Sequence, residues 1–156
     1  MECQQLDRGV EVRPSDGHIF RIEALAASIL RVRVSEDGQF PDRLLIRYGF
    51  YNNEFPPSVF EVQESTAGVS LRTATTSVEA SSETGLLRFS DTSGRVLLEE
   101  IQLARSRPGK CFSARFGLAL NKAFFGLGDQ TRDRLNQRGC VADMWVRNVE
   151  SYTPTP

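Results

Sequence analysis

Histidine occurs once in this 156-residue chain, as His18, and cysteine three times, as Cys3, Cys111 and Cys140. None of these residues lies at a zinc-ligand spacing, and no CxxC pair exists. The sequence therefore calls for no metal and no disulfide framework, and the thiols read as small side chains in a reducing compartment. Also missing are GxGxxG, P-loop, HExxH and GxSxG motifs, so no cofactor is expected. No run approaches the roughly 18 apolar residues of a membrane span. Nor is there a surplus of either charge: 19 basic residues stand against 20 acidic ones, which gives no electrostatic reason to expect nucleic acid or an anionic membrane as partner. The start, Met1-Glu2-Cys3-Gln4, has an acid where a signal peptide wants basic residues. With Met1 as the native start, a cytoplasmic protein is expected; in an excised fragment that inference lapses.

What is present is a succession of period-2 segments punctuated by turn residues, the pattern of half-buried strands. Gly9-Val10-Glu11-Val12-Arg13, residues 18–25 and residues 28–34 alternate in this way, with Leu30, Val32 and Val34 on one face and Arg31 and Arg33 on the other. Residues 60–63, 68–73, 75–80 and 111–118 continue the series. Leu86 to Glu100 reads as a hairpin turning at Asp91-Thr92-Ser93-Gly94. Leu44 to Tyr51 fits a strand better than a short helix, and Pro56-Pro57 marks a loop. No segment sustains a helical stripe; Thr131 to Arg138 is the best helical candidate, with Leu135 its single anchor. No linker divides the chain. The expectation is one all-β domain over residues 1–156, a β-sandwich, of a size that buries a real core.

Near the end, Phe124-Phe125-Gly126-Leu127-Gly128-Asp129-Gln130 combines apolar anchors for a strand in the core with glycines at the strand exit. This stretch resembles the (F/Y)-(Y/F)-G-(L/F)-G-(E/D) signature of glycoside hydrolase family 31, the α-glucosidase and α-xylosidase family. Ile29 to Val34, the hairpin from Leu86 to Leu97, Leu135-Asn136-Gln137-Arg138-Gly139 and Trp145-Val146-Arg147-Asn148 are similar, in order, to other segments of that family. The resemblance runs from about residue 9 onward. It implies a galactose-mutarotase-like β-sandwich preceding a catalytic (β/α)8 barrel. It also implies that the reacting aspartates sit on that barrel, which this sequence does not contain. The sandwich of the family normally continues past a point like Pro156, so the chain looks like most of an N-terminal domain.

A retaining glycosidase needs two carboxyl groups about 5–5.5 Å apart. Asp129 and Asp133 are placed for such a pair, but the plainer reading has Asp129 bracing its turn and Asp133 pairing with Arg132 or Arg134. No catalytic residue is assigned to this chain. In the family, a sandwich loop reaches over the barrel to the sugar, and the resemblance puts Arg147 and Asn148 there as substrate-binding residues. A guanidinium fork and an amide suit vicinal hydroxyls. Asn148 stands where the family commonly has Asp, which puts a charge-dependent role in doubt. Trp145 reads as packing beside Met144 or as a sugar platform, the former being commoner. His18 reads as a turn-flanking residue, and the basic residues Arg105, Arg107, Lys110 and Arg115 as a solvated face. The resemblance thus implies two partners: an α-glucoside or α-xyloside, and the barrel of the same polypeptide. Missing strands would leave an open edge and favour a homo-oligomer. A free-standing carbohydrate-binding module and an assembly module are the competing readings.

Overall fold

The computed structural model describes residues 1–14, 17–42, 44–50, 54–104, 113–126 and 135–141. The chain divides into two compact units, Met1–Gly117 and Leu118–Pro156.

Among the described residues, the first unit holds ten strands in two antiparallel meanders. β1 (Glu2–Leu6), β2 (Gly9–Arg13), β3 (Ile19–Ala26) and β4 (Ile29–Ser35) form a four-stranded sheet in chain order. β5 (Phe60–Ser65), β6 (Gly68–Thr73), β7 (Thr76–Ser81), β8 (Leu87–Asp91), β9 (Val96–Ala104) and β10 (Ser113–Phe116) form a six-stranded sheet, also in chain order. Alternation explains how the sheets meet. Val10, Val12, Phe20, Ile22 and Ala24 project from the first sheet and Val69, Leu71, Val78, Ala80 and Leu87 from the second, and together they make one buried core. Leu30, Val32 and Val34 pack on its margin, as the pattern in β4 predicts. Fully burying each valine, leucine, isoleucine or phenylalanine of this core contributes about 1.5–3 kcal/mol.

The outer face of the four-stranded sheet carries the complementary half of the pattern. Glu11 accepts hydrogen bonds from Arg13 Nη2 and Arg21 Nη2, both at 2.9 Å. Glu23 takes a bidentate pair from Arg31, at 2.9 Å each, and another bond from Arg33 Nη2 at 3.0 Å. Phe40 covers the network, with the Arg21 guanidinium 4.2 Å from its ring centroid. A threonine knot ties the two sheets at one end: Thr73 and Thr75 both donate from Oγ1 to the carbonyl of Ala27, between β3 and β4.

Several expectations need correction. Leu44–Arg47 is a short helix, α1, not a strand. Tyr48 N–H donates to Leu44 O at 2.9 Å, and Gly49 supplies a left-handed end at φ 72°. Its residues are not buried, so no sheet face selects period 2 there. β1 reads as polar in sequence yet pairs along its whole length with β2. His18 is buried rather than merely beside a turn, with Nε2 3.9 Å from Glu36 Oε1. The hairpin over β8 and β9 turns where expected. Asp91 Oδ1 accepts the N–H groups of Ser93 and Arg95 at 2.9 and 3.0 Å, and Gly94 has φ 82°. Among the described residues, no helix is long and apolar enough to cross a membrane, and no group of three His, Cys, Asp or Glu side chains is placed to hold a metal.

Candidate functional site

Among the described residues, the second unit holds two segments that the sequence separates and the structure joins. Phe124 and Phe125 run into Gly126, whose φ of 88° turns the backbone where a side chain would be strained. Nine to thirteen positions beyond Gly126, Leu135 to Gly139 returns alongside, and Gly139 turns the same way at φ 78°.

Backbone amides do most of the joining. Gln137 N–H donates to Phe124 O at 2.7 Å. Asn136 Oδ1 accepts from Phe124 N–H and from Arg138 N–H, both at 3.1 Å. Its carbonyl oxygen can accept two bonds, so a single amide side chain pins both segments. Arg138 Nη1 donates to Ala119 O at 2.7 Å and to Lys122 O at 2.8 Å. The guanidinium thus closes the turn at 119–122, where Lys122 N–H also donates to Ala119 O at 3.1 Å. Gln137 is buried between these contacts, and Cys140 N–H donates to Gln137 O at 3.0 Å.

This cluster can hold a backbone in place. It contains no nucleophile with an adjacent base and no carboxylate pair among its described residues. The strand reading of the aromatic stretch is corrected: Phe124 and Phe125 are 45% and 68% exposed, and residues 122–126 form no ladder. Leu135, the anchor of the helical candidate, is 85% exposed, and residues 135–138 are not helical; residues 131–134 of that candidate lie outside the described residues. Both corrections share a cause, because these segments are held by polar bonds to each other rather than by an apolar face.

Arg147 and Asn148 lie outside the described residues, as do Asp129, Asp133, Trp145, Arg105, Arg107, Lys110 and Cys111. Arg115, the remaining member of the basic group, donates to Gln102 Oε1 at 3.1 Å across β9 and β10. The sequence shows Asn136 and Arg138 as part of a motif but not their fastening role. A short polar side chain just ahead of Arg-Gly was the available signal.

Comparison with known proteins places these observations. The sequence model of the glycosyl hydrolase 31 N-terminal galactose mutarotase-like domain matches residues 19–156. No curated protein sequence matches the chain. Among solved structures, the family 31 α-xylosidase of Xanthomonas citri is 26% identical and superposes with a TM-score of 0.68 over 88% of this chain and 16% of its own. A family 31 α-xylosidase from a soil metagenome, solved with xylose, is 21% identical, with a TM-score of 0.69 over 90% of this chain and 24% of its own; at that identity it bears on the fold alone. This chain thus spans between a sixth and a quarter of those enzymes. The two-sheet sandwich, the fastened Phe-Phe-Gly and Arg-Gly segments and the matched family domain agree: the chain belongs to glycoside hydrolase family 31, as its N-terminal galactose mutarotase-like domain.

Proposed function

We propose that this chain is the non-catalytic N-terminal domain of an α-glycosidase, packing on a (β/α)8 barrel of the same polypeptide and lending Arg147 and Asn148 to the rim of its sugar site. The observation that carries the reading is the family-domain match over residues 19–156, in a chain whose structural match covers only 16% of the Xanthomonas enzyme. The greater part of such an enzyme, reacting carboxylates included, then lies elsewhere. The Xanthomonas neighbour is an α-xylosidase, which favours an α-xyloside over an α-glucoside as the parent enzyme's substrate. The fastening at Asn136 and Arg138 supports the rim role, since it fixes the backbone shortly before Arg147.

Two measurements test this. The purified 156-residue chain is expected to release no aryl alcohol from aryl α-xylosides or α-glucosides; clear turnover would sink the reading. In the complete enzyme, Arg147→Ala should lower kcat/KM by about tenfold to a hundredfold, the worth of a charged hydrogen bond to sugar. An unchanged kcat/KM would remove Arg147 from the rim.

A further inference from the structure

Register aligns Gln63, Ser70, Glu79, Arg88 and Glu99 in a single row across β5 to β9. Ser65, Gly68 and Ser81 make the next row toward the sheet's end. The sequence neighbours Val69, Ala80 and Leu87 point into the core, so alternation sends these two rows to the outer face.

Side-chain length then shapes that face. The middle strands β6 and β7 present the short residues Gly68, Ser70 and Ser81 beside Glu79, while β5, β8 and β9 present Gln63, Arg88 and Glu99. Short residues between long ones leave a trough of about 550 Å³, within the range of small-molecule sites. Its features are set in place. Arg88 Nε donates to Glu99 Oε1 at 2.8 Å, and Glu79 adds its charge beside Arg88. At the end of the trough, Ser65 Oγ donates to Gly68 O at 3.2 Å, and Thr84 N–H donates to Ser81 Oγ at 3.2 Å.

The lining decides the class of occupant. Hydroxyls, an amide, carboxylates and a guanidinium supply both donors and acceptors. Glutamates outnumber the single arginine, which repels phosphates and so excludes nucleotides. Leu86 lines the trough, but no large apolar side chain stands in either outer row, so there is no continuous apolar strip to hold a lipid. Neighbouring strands lie about 4.8 Å apart, close to the length of one pyranose ring, so a linear sugar crossing the strands meets a new polar group at each ring.

The geometry points to a carbohydrate site on this outer face that takes a neutral linear oligosaccharide across β5 to β9. It uses none of the rim residues. Among the described residues no aromatic platform lines the trough, so affinity rests on hydrogen bonds and falls near a Kd of about 1 mM.

Titration of the isotope-labelled 156-residue chain with xylotetraose and with maltotetraose, followed by amide NMR shifts, tests this. Residues 63, 70, 79, 88 and 99 should move together and saturate. Glu79→Ala and Ser70→Tyr, which fills the trough from the solvent side, should each weaken binding about tenfold. Arg72→Ala, on the same face outside the trough, should leave it within about twofold, the scatter of an uninvolved surface change. No shift in the trough up to about 20 mM of either sugar, twenty times the expected Kd, would overturn the proposal. So would binding that Ser70→Tyr leaves unchanged. Neither result bears on Arg147, which is read by hydrolysis in the complete enzyme.

Discussion

Glu11, Glu23 and Glu100 are all buried, and they answer to pH in opposite directions. Burial works to raise Glu11, but hydrogen bonds from Arg21 and Arg13 outweigh it and hold the carboxyl below its ordinary value. Burial likewise opposes Glu23, where the bond from Arg31 and the charges of Arg33 and Arg31 prevail. Folding therefore releases protons from these two groups. Their contribution is fully present above the ordinary value of 4.5 and is lost as pH falls below it. Glu100 has one compensating bond, from Leu87 N–H at 3.0 Å, and burial leaves its carboxyl raised. The folded state holds that proton more tightly, so Glu100 takes stability away as pH rises from 4.5 through its raised value. Urea midpoints should show both effects. Glu11→Gln should flatten the loss of stability between about pH 5 and 3. Glu100→Gln keeps an acceptor for Leu87 N–H, and should be more stable than the parent at about pH 7 and indistinguishable from it near pH 4. A Glu100→Gln variant that loses stability at neutral pH would show that the carboxylate is needed ionised. The Cys3 thiol, raised to about 11 by burial, a hydrogen bond to Glu64 and the charge of Glu64, should react slowly with iodoacetamide at neutral pH.

At the scale of elements, β2 and β3 depend on close approach. A Cβ on Gly9 would sit 1.9 Å from Ile22 O, a backbone atom of the partner strand that cannot swing aside. Gly9→Ala should therefore separate the start of β2 from β3 and cost about 2–4 kcal/mol, readable as a lower urea midpoint and faster amide exchange at Val10. Exchange and midpoint within error of the parent would show that the pairing is looser than that approach requires. Most strands were legible in sequence because each has one buried face, so Val10 and Val12, or Phe20 and Ile22, had to recur at every second residue. β1 was missed because at the edge of its sheet it carries Glu2, Gln4 and Gln5, with little apolar demand. α1 was misread because four residues are too few to separate a period of 2 from 3.6. The trough was illegible for a different reason: its row exists only once the register of five strands is set. Arg147 and Asn148 came from likeness to a family and not from any pattern in the residues.

Over the whole molecule, apolar surface remains on the first unit where the six-stranded sheet ends. Ile101 is 61% exposed, and Leu98 and Phe116 are partly exposed on β9 and β10, the latter an edge strand among the described residues. Such an edge invites pairing with a second copy. Light scattering of the isolated chain should give a mass above the monomer's that grows with concentration, and Ile101→Lys should return it toward the monomer. A strictly monomeric parent at high concentration would contradict this. On the second unit, the guanidinium of Arg138 grips two carbonyls, and Arg147 follows nine positions later. Nine residues of fully extended chain reach about 30 Å. The grip therefore works as the fixed leg of a compass. In the complete enzyme the Cα of Arg147 must therefore lie inside a sphere of about that radius drawn about the Cα of Arg138, with its side chain reaching a few ångströms beyond.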